Sequence, residues 1–138
     1  MSNWLRAQIS TEIKNPKRDL FEQALDNMGY KPDYNEKTVH GAYSFESSEP
    51  VDCVLRNKDT NELSTIGFSF KKNPEGEIVL SVSGDFWRCR FDGDTFMKQL
   101  GMQYNYEKTK ESLEEQGYVI EDTEVREHEI VFVGRMAA

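Results

Sequence analysis

Residues 65–71 alternate with a period of two. Ile66, Phe68 and Phe70 fall on one side, and Thr65, Ser69 and Lys71 on the other. This period belongs to a strand with one face buried. Asn73-Pro74-Glu75-Gly76 follows, a turn that returns the chain antiparallel. Residues 77–83 then supply a partner strand with Ile78, Leu80 and Val82 in step. A hairpin with one apolar face must be covered by another layer, which confines the chain to a few architectures.

Two helical patterns can provide that layer. After Asn15-Pro16, residues Leu20, Phe21, Ala24, Leu25 and Met28 repeat at helical spacing. Asn caps free amides and Pro suits a first turn, so the helix is predicted to start there. Gly29 ends it. A second helix is predicted after Asp94, its cap, with Phe96, Met97 and Leu100 inward. Gly101 is expected to break or kink it, and a further segment over residues 105–116 to carry Tyr106, Lys110 and Leu113 on one side. Gly117 closes that segment.

Residues 4–9, 38–45, 51–56, 118–124 and 129–133 read as further strands, and 31–37 as a polar loop containing Pro32. At Gly84-Asp85 the apolar parity switches from even positions to the odd positions Trp87, Cys89 and Phe91. A slip of one residue turns every side chain over, so a β-bulge or tight bend is expected at Ser83-Gly84-Asp85. Trp87 would then face the core and Arg88 and Arg90 the other side. The predicted class is α+β: a mostly antiparallel sheet of six or seven strands, two main helices on one face with the second kinked, akin to ferredoxin-like folds. A single domain over residues 1–138 accommodates it.

Charge narrows the function. The 17 basic and 25 acidic side chains leave a net charge of -8. Phosphate-backbone binding wants the opposite sign, so nucleic acid is disfavoured as a partner. No segment has the apolar core of a signal peptide or the ~20 apolar residues of a membrane span. A cytoplasmic protein with no membrane partner is expected. Cys53 and Cys89 form no metal-type or redox-type pair in sequence; they read as half-buried thiols, with a single disulfide between them the open alternative.

Reactive constellations are sparse. His40 and His128 stand apart, no serine sits in a nucleophile elbow, and a Cys53–His40 pair is weaker than buried thiol plus surface imidazole. No ligand spacing supports a metal, and no glycine-rich loop supports a nucleotide, so no catalytic residue and no cofactor is assigned. Asp92-Gly93-Asp94 lacks the further carboxylates of a calcium loop.

Two surfaces remain. Between residues 111 and 129, eight carboxylates gather, Glu111, Glu114, Glu115, Glu121, Asp122 and Glu124 among them, only partly offset by Lys110 and Arg126. They read either as a solvated, charge-protected edge or as a docking face for a basic protein, even a mimic of nucleic-acid charge. The alternative is a pocket beside Trp87, Arg88, Arg90 and Asp92, where arginine would hold a small anionic ligand and tryptophan would wall it. The same aromatic and basic residues are those a single-stranded nucleic-acid binder would use.

Thr65-Ile66-Gly67-Phe68, Gly84-Asp85-Phe86-Trp87, Gln103-Tyr104-Asn105-Tyr106-Glu107-Lys108 and Gln116-Gly117-Tyr118 resemble the domain of unknown function 1257 family. That family is also called hypothetical chloroplast reading frame thirty-five, with members in cyanobacteria, red-algal plastids and cyanophages. The first helix ending Met28-Gly29-Tyr30 and the outer strands fit it too. The resemblance implies no established activity and no catalytic residues. It implies an accessory role beside an AAA-type ATPase, in a plastid stroma or a phage-infected host as well as a cytoplasm.

Overall fold

The structure is a computed structural model that describes residues 2–8, 13–41, 48–84, 93–125 and 129–137, with backbone alone for residues 2–8, 125, 129 and 130. The expected α+β class is present. The elements run β1 (Ser2–Gln8), α1 (Arg18–Asn27), β2 (Tyr30–Asp33), β3 (Thr38–His40), β4 (Ser48–Pro50) and β5 (Cys53–Asn57). They continue with β6 (Leu63–Lys72), β7 (Ile78–Gly84), α2 (Gly93–Glu115), β8 (Tyr118–Val125) and β9 (Glu129–Met136).

The strands do not form one sheet. They divide into a three-stranded sheet in the order β1-β9-β8, a four-stranded sheet in the order β2-β5-β6-β7, and the small pair β3-β4. Every named pairing among the described residues is antiparallel. The parallel pairing across a helix that marks a split βαβ unit is therefore not among them.

The β6–β7 hairpin, at one side of the four-stranded sheet, follows the sequence pattern. Ser69 pairs with Ser81 and Phe70 with Leu80. Asn73 organises the turn: its Oδ1 accepts from the Glu77 amide at 2.8 Å, and its carbonyl accepts from Gly76, which has φ 80°. Cys53, Leu55, Ile66, Phe68 and Leu80 present one apolar face, and α1 and α2 cover it with Leu20, Phe21, Ala24, Leu25, Phe96, Leu100 and Tyr104. Aromatic rings fill the layer. Phe21 meets Phe68 edge-on at 5.5 Å, and Phe68 lies 5.9 Å from Phe96, within the range where ring pairs add stabilisation beyond buried area.

The opposite face carries a smaller cluster, Val39, Val51 and Val54. It seats the β3–β4 pair on the back of the sheet, over Gly67. A Cβ at Gly67 would lie 3.0 Å from the Cys53 carbonyl oxygen and 3.0 Å from a Val51 methyl, so hydrogen alone fits comfortably.

Several local expectations change in three dimensions. Asn15 does not cap α1. It has φ 46°, and its amide donates to Ile78 O at 2.7 Å while its Oδ1 accepts from Ile78 N at 2.9 Å. The N-cap is Lys17, which offers no side-chain cap. Residues 31–33, read as loop, belong to edge strand β2. Pro32 is tolerated there because an edge position need not donate to a neighbour. Gly101 does not divide α2, which runs unbroken through it, and Asp94 lies in the first turn instead of capping it. An acidic side chain there still complements the helix dipole.

Pairing between β6 and β7 stays in register through Ser83 and Gly84, so no bulge occurs in that part. Gly84 has φ 150°, and a Cβ on it would run into the Thr65 carbonyl oxygen. The expected bend at Asp85 and the facing of Trp87, Cys89 and Phe91 lie outside the described residues.

Candidate functional site

The carboxylates singled out from the sequence sit on two elements that meet. Glu107, Lys110, Glu111, Glu114 and Glu115 occupy the last turns of α2, where spacings of three and four bring side chains to one side. Gly117, at φ 95°, turns the chain directly into β8, which carries Glu121, Asp122 and Glu124.

Long-range contacts sort these acids into neutralised and open ones. Lys17 Nζ donates to Glu111 Oε1 at 2.8 Å. The hydrogen bond to Glu111, then its charge, raises the Lys17 ammonium above its ordinary value. Just beside it, the Lys17 amide donates to Tyr104 Oη at 3.0 Å, an acceptor from a distant helix where Lys17 itself supplies none. Asn27 Nδ2 donates to Glu107 at 2.9 Å. These bonds latch both ends of α1 to α2. On β8, Arg135 Nε pairs with Glu121 at 3.0 Å. The register shifts between Ile120 and Asp122, so Glu121 is the extra residue of a bulge. Glu114 and Asp122 form no salt bridge among the described residues, and Glu115 feels the Lys17 ammonium only through space, while Glu111 holds it directly.

Their position sharpens the electrostatics. The carbonyl end of a helix carries about half a negative charge, and cations are favoured there. The last turn of α2 contains no basic residue. Glu114 and Glu115 therefore add carboxylates to an already negative pole, an arrangement that costs helix stability.

Two open grooves flank this pole. One, about 440 Å³, is lined by Leu20, Glu107, Lys110, Glu111, Glu114 and Glu115. The other, about 430 Å³, lies between α2 and the start of β8 and includes Lys110, Glu114, Gly117, Tyr118, Val119 and Ile120. Lys110 and Glu114 line both, so the grooves adjoin across α2.

A third concavity, about 500 Å³, was not foreseen. It gathers Arg18, Lys31, Tyr34 and Arg56. The guanidiniums are committed within it. Arg18 lies 4.4 Å over the Tyr34 ring and donates to Glu22 at 3.0 Å; Arg56 Nε donates to Asp33 at 2.8 Å. The Arg56 bond, seconded by the Asn35 amide, holds Asp33 below the ordinary carboxylate range. Burial, then the bond to Glu22, raises the Tyr34 hydroxyl. This cluster fastens β2 to α1 and β5. Its members are far apart in sequence, so no local motif could announce it.

The residues of the alternative pocket, Trp87, Arg88, Arg90 and Asp92, lie outside the described residues. So do Cys89 and His128. Cys53 is buried in the main core, and burial pushes its thiol up to about 11, the reverse of what a nucleophile needs. His40 is exposed on β3. Among the described residues no three His, Cys, Asp or Glu side chains are grouped to hold a metal ion. No described helix is long and apolar enough to cross a membrane.

Fold and face together define a class: an α+β protein of antiparallel sheets clasped by two helices, with its acid concentrated at one helix end. The chain belongs to the family described as Protein of unknown function (DUF1257), which matches residues 24–133. The match opens inside α1 and closes inside β9, leaving β1 outside it. No curated protein matches the chain, and no solved structure does.

Proposed function

We propose that this is a non-catalytic binding or adaptor protein whose acidic region, at the end of α2 and along β8, docks a basic surface of another protein. The observation that carries this reading is Glu114 and Glu115 at the negative pole of α2, neither of them in a salt bridge among the described residues. A positive partner would relieve the repulsion that the free protein retains, and complementary charge speeds encounter and sets orientation. The neighbouring Glu111 and Glu121 are held by Lys17 and Arg135 and serve the fold. An AAA-type ATPase, the partner class raised by the family resemblance, is the first to test.

The experiment compares affinity capture by the natural chain with capture by a chain carrying Glu114→Lys, Glu115→Lys and Asp122→Lys. A specific partner is retained by the natural chain, lost from the variant, and released as salt rises toward ~1 M, where screening shortens to ~3 Å. An identical set of retained proteins with both chains, at any salt, refutes the proposal.

A further inference from the structure

The sheet edges differ in how they are finished. The outer edge of β7 is covered: Lys14 bridges to Val79, Asn15 bonds both ways with Ile78, and Leu80 N donates to Ile13 O at 3.3 Å. The edge at β2 is four residues long and contains Pro32. β8 is eight residues long, and no described strand pairs with its outer side. The groove of about 430 Å³ between α2 and β8 opens beside residues Tyr118 to Ile120 of that edge.

Register fixes which chemistry lies on each side. Phe132 stacks on Tyr106 of α2, with centroids 5.6 Å apart and planes 16° from parallel. Thr123 is paired with Phe132 and Tyr118 with Met136, so these residues share the α2 side. Asp122 is paired with Val133 and Glu124 with Val131, and both fall on the opposite side. An extended segment laid along β8 would meet Tyr118, Ile120 and the α2 groove with every second side chain. The intervening side chains would lie along Asp122 and Glu124.

Resting on the acidic-face reading above, we propose that β8 accepts an extended basic segment of a partner protein as an added strand. Apolar side chains of the segment enter the α2 groove, and lysines or arginines alternate with them on the side of β8 that carries Asp122. Main-chain hydrogen bonds to the outer side of β8, unpaired among the described strands, supply affinity, and alternating pockets supply selectivity. Charge decides the occupant. A second copy of this chain, at net charge -8, would bring like charges to the same edge; a basic strand brings the complement. The carboxylates and the bulge that guard this edge against its own kind thereby select a positive guest.

The probe is a short fluorescent peptide alternating lysine with valine, titrated with the full chain and followed by anisotropy. Comparison peptides are all-lysine, or are N-methylated at every lysine or at every valine. An added strand turns the amides of only one alternate set toward β8. One methylated peptide should therefore lose about tenfold or more in affinity, and the other should keep it. Asp122→Lys should also weaken the parent peptide, with circular dichroism confirming the fold. Equal binding by all four peptides overturns strand addition and leaves a purely electrostatic face. No binding by either the alternating or the all-lysine peptide rejects strand addition and the acidic face together. Self-association of the natural chain that excludes the peptide also overturns the proposal, since the edge would then take a second copy.

Discussion

Gly67→Val tests how the β3–β4 pair is held on the sheet. A Cβ at Gly67 would sit 3.0 Å from the Cys53 carbonyl oxygen and 3.0 and 3.1 Å from the two Val51 methyls. Carbon atoms in good contact are ~3.5–4.0 Å apart, so the neighbours must retreat by about half an ångström. Val51 cannot do so freely, because it is packed with Val39 and Val54 in a buried cluster. Overpacking of this kind costs ~1–3 kcal/mol. The gain from a β-branched residue in a strand returns up to ~1 kcal/mol. The expected net loss is about 1–2 kcal/mol in urea unfolding followed by circular dichroism. Val51→Ala in the same chain should recover part of it, with a favourable coupling of ~0.5 kcal/mol or more in a double-mutant cycle. The Cys53 carbonyl contact remains, so recovery is incomplete. A Gly67→Val chain as stable as its parent, or one whose effect simply adds to that of Val51→Ala, would show that the pair does not seat on this glycine.

Tyr104→Phe removes the acceptor for the Lys17 amide at the start of α1; a loss of ~0.5–1.5 kcal/mol is expected by denaturant titration, and no loss would mean that water replaces it fully. The Asp33 carboxyl is held below its unfolded value by Arg56, so its stabilisation is complete above pH ~4 and fades as pH falls through the lower folded value. Thermal melts of Asp33→Asn should therefore trail the natural chain at neutral pH and converge with it in acid; a constant gap would contradict the pairing. Cys53, raised to about 11 by burial, contributes stability that is whole below pH ~9 and is lost as pH rises toward 11. Its thiol should resist a disulfide reagent in the native protein at pH ~8 and react on unfolding; prompt native reaction assignable to Cys53 would contradict its burial.

The parts of the fold that were legible are those in which neighbours in sequence share one environment. The alternation around Phe68, the Asn73–Gly76 turn, and the Leu20–Leu25 stripe on α1 depend on local periodicity and backbone preference. The stops at Gly29 and Gly117 do so too, and all these readings survive in three dimensions. What escaped depends on distant partners. Asn15 looks like a cap until Ile78, sixty-three positions away, claims both of its polar ends. Lys31 and Asp33 look like loop until β5 pairs with them. Sheet membership is likewise invisible, because strands with the same pattern can join either sheet. The acidic segment was visible as composition alone. Its division into occupied and open carboxylates required Lys17 and Arg135, which reach it from opposite ends of the chain.

The pairing of Ser2 with Arg135 has a consequence for the protein's birth. β1 is made well before β9, yet its place beside β9 exists only after β9 has emerged from the ribosome. During synthesis β1 must wait for that partner while the helices and the β6–β7 hairpin assemble from close-range contacts. The three-stranded sheet, which joins strands from distant parts of the sequence, is thus the last of these sheets able to close.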